Sequence, residues 1–89
     1  MRNEMEKLLK EELRTLAIRT RERLDLTQRE MAIKLEMSES SYSDIETGLS
    51  MCGTLTTVLL LSELDDPYAY LQELQRKLIA LYENTMQLV

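Results

Sequence analysis

Histidine is absent from this 89-residue chain, and cysteine occurs once, at Cys52. General acid–base catalysis draws on histidine more than on other side chains, so its absence removes Ser/His and Cys/His couples together. A lone thiol cannot close an intrachain disulfide, and no Cys/His cluster has metal-ligand spacing, so no bound metal is expected and a reducing, cytoplasmic home is implied. Cys52 itself reads as a small buried hydrophobe, with no basic neighbour in its own segment to lower its pKa. Glycine is nearly as scarce: Gly48 and Gly53 stand alone, outside the spacing of any phosphate-binding loop. The longest apolar stretch, around residues 58–61, is far too short to cross a bilayer, and a terminus charged from Arg2 onward is not built like a signal peptide. No enzymatic activity, no membrane contact and no small-molecule cofactor are therefore expected.

With two Gly, one Pro and abundant Leu, Glu, Arg and Met, the composition favours helices and leaves little material for β-turns. An all-α fold follows. At this length one compact domain is expected, its core just large enough to stand alone or with help from dimerisation. Eleven Lys+Arg against sixteen Asp+Glu give a net charge of −5, which counts against a nonspecific nucleic-acid binder. Residues 14–48, however, hold six basic and seven acidic groups, so most of the excess negative charge lies elsewhere.

Five helices are expected. From Asn3 to Leu24, Met5, Leu9, Leu13, Leu16, Ala17, Thr20 and Leu24 recur at three- and four-residue steps, the stripe of a long amphipathic helix. Thr27 followed by Glu30 matches a capping box and starts a second helix, from Gln28 to about Leu35. Ser38 caps a short third helix, Glu39 to Glu46, which Gly48 closes in a left-handed conformation. Thr54 caps a fourth, through Leu64, with Leu55, Val58, Leu59 and Leu61 or Ser62 facing inward; as the most apolar element it is expected to be central. Asp66 and Pro67 restart the chain as a fifth helix to about Gln87, along which Leu71, Leu74, Leu78, Leu81, Thr85 and Leu88 form a seam that needs a partner surface. That seam can pack on the first helix, pair with its symmetry mate, or do some of each.

The second and third helices form a tight unit of the kind that presents its second member to a DNA major groove. The pattern Arg21…Leu26-Thr27-Gln28-x-x-Met31-Ala32-x-x-Leu35…Ser38-x-x-x-Tyr42-x-x-Ile45-Glu46-x-Gly48 resembles the Cro/C1-type repressor family, also called XRE-like. The resemblance covers residues 14–64. It implies a lambda-repressor-like DNA-binding domain over residues 1–64, with residues 27–48 as the reading unit and double-stranded DNA as partner. Residues 65–89 are then left for packing and a homodimer contact through Leu71, Leu74, Leu78 and Leu81, since two-fold operators match two-fold proteins.

Ala32 is small where the two helices approach, and Leu26, Met31, Leu35, Tyr42 and Ile45 set their crossing angle. The resemblance implies a partly buried pair between Arg21 and Glu46, read as a structural clamp. It places Gln28 at a phosphate, aided by free N–H groups of the second helix start, with Ser41 and Thr47 as further backbone contacts. It sets Glu39, Ser40, Ser43 and Asp44 at base edges; Ser38 belongs to the same group or merely caps. None of these is basic, and carboxylates accept chiefly from cytosine N4 while repelling phosphates, so affinity per subunit is expected to be low. Arg19, Arg23 and Arg29 are candidates for compensating phosphate contacts, or a solvated face paired with Glu22 and Glu30. Where the family often carries glycine before the second helix and in the turn, this chain has Asp25 and Glu36, so the turn geometry is expected to be kept with strain. The alternative is a protein-interaction module of the same fold, antitoxin-like or regulator-binding, with an acidic third helix docking a basic partner.

Overall fold

The computed structural model describes residues 1–87, with side chains through residue 84. Leu88 and the side chain of Thr85, two positions of the expected seam, lie outside the described residues. Five helices follow in order: α1 (Arg2–Arg23), α2 (Gln28–Lys34), α3 (Glu39–Glu46), α4 (Thr54–Ser62) and α5 (Pro67–Gln87). No strand occurs among the described residues, and the all-α class read from composition is the class observed.

The stripe of α1 buries Leu13, Leu16, Ala17 and Thr20, while Met5, Leu9 and Leu24 at its ends are half-buried. Around it gather Met31, Ala32 and Leu35 of α2, Tyr42 and Ile45 of α3, Cys52 of the connector and Leu60 of α4. The central element is α1, not α4: α1 is packed against α3, α4 and α5.

The starts of the short helices follow the capping signals. Thr27 Oγ1 accepts from the Glu30 amide at 3.1 Å and Glu30 Oε1 accepts from the Thr27 amide at 3.0 Å, the reciprocal box that satisfies two otherwise unpaired donors. Ser38 Oγ accepts from the Ser41 amide at 3.1 Å. The ends share one device. In α1, α2 and α3 the second residue past the last helical one turns left-handed, at Asp25 (φ 56°), Glu36 (φ 56°) and Gly48 (φ 81°). The next amide then reaches back five residues: Leu26 to the Arg21 carbonyl (3.1 Å), Met37 to Ala32 (3.0 Å) and Leu49 to Asp44 (2.8 Å). These closures make the α1–α2 and α2–α3 connections tight.

Glutamate in that conformation carries a Cβ clash of about 1–2 kcal/mol. Glycine removes it but loses roughly 0.5–1 kcal/mol to a freer unfolded chain. Glu36→Gly is therefore expected to raise stability by up to about 1 kcal/mol, seen as a higher urea midpoint at unchanged m-value.

The fourth helix departs from expectation. Gly53, not Thr54, stands at its cap, without a side-chain cap bond, and the helix ends at Ser62 rather than Leu64. Its buried residues are Thr56 and Leu60; Leu55 and Val58, expected inside, are 62% and 53% exposed, and Leu59 and Leu61 are half-buried. Apolar side chains lie on every side of residues 55–61, so spacing alone does not select the face that meets α1.

Asp66 Oδ1 accepts from the Ala69 amide at 3.0 Å and opens α5 as read. The helix lies along α1, with Lys77 paired to Glu12 at 2.7 Å and the Tyr70 hydroxyl donating to the Glu12 carbonyl at 3.5 Å. Leu74, Leu78 and Leu81 are half-buried. Leu71 stays exposed, as do Tyr68, Ile79 and Tyr82, so α5 presents apolar surface that α1 does not cover.

Candidate nucleic-acid interface

Helices α2 and α3 pack on each other, and Met31, Ala32, Leu35, Tyr42 and Ile45 share one buried core with α1, in which Ala32, almost fully buried, leaves no room for a larger side chain. Tyr42 is fully buried, and its hydroxyl points at the Ala17 carbonyl, 3.4 Å away. Burial pushes its phenol well above the ordinary range, so it stays a donor. With Tyr42, Ile45 and Glu46 turned inward, the opposite side of α3 is in water. Glu39, Ser40 and Ser41 are exposed there, with Thr47 just beyond the helix, and Ser43 and Asp44 are half-exposed.

The C-terminal end of α3 is held by charge. Arg21 grips Glu46 with two bonds, Nε to Oε2 at 2.6 Å and Nη2 to Oε1 at 3.1 Å, and its Nη1 donates to the Leu26 carbonyl at 3.1 Å. Gln28 Nε2 also donates to Glu46 Oε1, at 3.0 Å. One carboxylate thus ties together α1, the start of α2 and the end of α3. Arg14 adds a bond the sequence reading did not anticipate: its Nε donates to the Glu46 carbonyl at 2.7 Å, a cation on an otherwise unpaired carbonyl at a helix end. The signal for it was present, since Arg14 stands two helical turns before Arg21 and so faces the same way.

Burial works against ionisation of Glu46, but the hydrogen bonds from Arg21, Tyr42 and Gln28 outweigh it and hold its carboxyl below the ordinary value of 4.5. A depressed carboxylate stabilises the fold above its unfolded pKa and loses that contribution as pH falls through the folded one. Glu30 shifts in the same direction, through the Thr27 backbone and hydroxyl. Stability is therefore expected to be flat near neutrality and to decline below pH 4.5, with a shallower decline in Glu46→Gln, measured by thermal melts across that range.

The structure sorts the remaining candidates. Ser38 Oγ donates to Ser41 Oγ at 2.8 Å, so those two hydroxyls engage each other at the start of α3. Thr47 Oγ1 donates to the Asp44 carbonyl at 3.3 Å. Gln28, half-buried, spends one amide hydrogen on Glu46 and keeps the other. Arg29 is exposed, with no ion pair or hydrogen bond among the described residues. Arg19 and Arg23 are not gathered with α3: each stands two positions from Arg21, about 200° around α1. They flank a cleft with Leu64 and Tyr70, and Arg23 donates to the Glu63 carbonyl.

Two short helices joined through residues 35–38, the first bracing the second and the second showing a polar side to solvent, define a helix-turn-helix protein. Residues 11–66 match the family described as Helix-turn-helix domain, and the chain belongs to that family. The match takes in the helix-turn-helix and α4 and stops at the start of α5. No curated protein and no solved structure matches the chain.

Proposed function

We propose that the chain is a non-enzymatic, sequence-specific DNA-binding transcriptional regulator of the Cro/C1 type, a repressor that acts as a homodimer in the cytoplasm. One observation carries this reading: the side of α3 that bears Glu39, Ser40, Ser43 and Asp44 is open to solvent while the rest of the helix is locked to α1 and α2. Residues 1–64 supply the DNA contact. Those four side chains meet base edges, and Ser38, Ser41, Thr47, the free amide hydrogen of Gln28 and the guanidinium of Arg29 meet phosphates. Residues 65–89 supply the dimer contact, with Leu71, beside Tyr68, Ile79 and Tyr82, turned toward the partner, and Leu74, Leu78 and Leu81 shared between α1 and the interface. No described helix is long and apolar enough to cross a membrane.

A gel shift against DNA flanking the chain's own gene tests the reading. Retardation at low salt that weakens steeply as salt rises is expected, and no binding even at low salt overturns it. Sedimentation at micromolar protein is expected to show a mass that rises with concentration, and a constant monomer removes the dimer. The absence of any basic residue on α3 favours the second reading, a protein-interaction module with a basic partner. Glu39→Ala and Asp44→Ala separate the two. A change in preferred sequence means that the carboxylates read bases, whereas tighter binding to DNA of every sequence means that they only repel phosphate.

A further inference from the structure

The cleft between α1 and the start of α5 is a second concave surface of mixed chemistry, and the DNA contact proposed above makes no use of it. It encloses about 250 Å³ and is lined by Thr15, Leu16, Arg19, Arg23, Leu64 and Tyr70, with Glu12 at one end. The Glu12 carboxylate is already neutralised by Lys77 at 2.7 Å, and its carbonyl accepts the Tyr70 hydroxyl. Positive charge therefore dominates what remains. Arg19 and Arg23 are one helical turn apart and point along the same side of α1. Arg23 is oriented by the Glu63 carbonyl, and Arg19 has no partner among the described residues. The floor is apolar: Leu16 is buried, and Leu64 and Tyr70 are half-buried against it. Burial moves the Tyr70 phenol up to about 12, so it remains protonated at neutral pH.

We propose that this cleft binds a small organic acid, its carboxylate held by the Arg19 and Arg23 guanidiniums and its aliphatic or aromatic body seated on Leu16, Leu64 and Tyr70. A guanidinium fork matches a carboxylate in plane and spacing. The volume lies below the roughly 300–1,000 Å³ typical of sites for drug-sized ligands, which limits the occupant to a compact acid. Because the walls come from α1, the residues before α5 and α5 itself, an occupied cleft braces α5 on the helix-turn-helix unit and makes the acid a candidate effector.

The test is a two-dimensional amide NMR titration of the full chain without DNA, so its outcome is independent of the regulator reading. Benzoate is expected to give saturating shifts at Thr15–Thr20 and Tyr70 with Kd of about 1 mM or tighter. Benzyl alcohol, the neutral analogue, is expected to give none, and Arg19→Ala to weaken benzoate binding by at least about 10-fold. Arg19 is exposed and makes no bond in the fold, so unchanged resonances away from the cleft will show that the variant is intact. Shifts that do not saturate, that are equal for benzyl alcohol, or that persist in Arg19→Ala overturn the site. Inorganic phosphate binding as well as benzoate overturns the organic-acid assignment.

Discussion

Arg21→Ala is expected to unfold at a temperature lower by about 12–24 °C, the shift that a loss of roughly 3 kcal/mol produces in a domain of this size. The argument rests on what the substitution leaves behind. Glu46 is 7% exposed and its partner 22%, so the carboxylate cannot recover water when the guanidinium goes. Stranding one charge of a buried pair costs about 3–5 kcal/mol, and the lower end applies because Gln28 still donates to Oε1 at 3.0 Å. Arg21 also satisfies the Leu26 carbonyl, in the closure of α1, so its loss loosens the entry to α2. Arg21→Met with Glu46→Leu, which removes both charges, is expected to recover most of the loss. Chemical denaturation of the wild type, of Arg21→Met and Glu46→Leu singly, and of the double variant closes the cycle, with Arg21→Ala measured beside it.

Tyr42→Ala is expected to be as damaging, at about 3–5 kcal/mol, the range for truncating a large buried aromatic. Tyr42 is completely buried and is the side chain by which the middle of α3 reaches α1. Total stabilities of small domains are about 5–15 kcal/mol, so this loss is a large fraction of what holds the fold together and a strongly lowered melting temperature is expected. Tyr42→Phe keeps the ring and removes only the hydroxyl, with its bond to the Ala17 carbonyl and its help to the Glu46 carboxylate, a cost of about 1 kcal/mol. Circular dichroism melts of the two variants distinguish the contribution of the ring from that of the hydroxyl.

The first three helices were legible because independent signals agreed there. Apolar steps of three and four, the Thr27/Glu30 box, Ser38 and Gly48 all marked the same boundaries, and Asp25 and Glu36 took the left-handed conformations that the turn geometry demands. Helix α4 was legible as a helix but not in orientation, because leucine and valine on all sides erase the contrast between an inner and an outer face. Long polar side chains were the other blind spot. The spacing of Gln28 does not reveal that its amide turns back to Glu46, and Arg19 and Arg23 read as part of a basic segment until helical rotation places them away from α3. The class of α5 was plain from its leucines. How much of it α1 covers is a property of tertiary packing, and Leu71 emerged on the outer side of a seam that spacing alone treats as uniform.

The bonds that converge on Glu46 also limit how the molecule can respond to whatever it meets. With two arginines and a glutamine fastened to the last residue of α3, tilting or sliding that helix means breaking those bonds, so adjustment on association costs the other party less. A duplex would have to bend or widen its groove to suit the protein, and steps that deform easily would then be favoured even at positions no side chain touches.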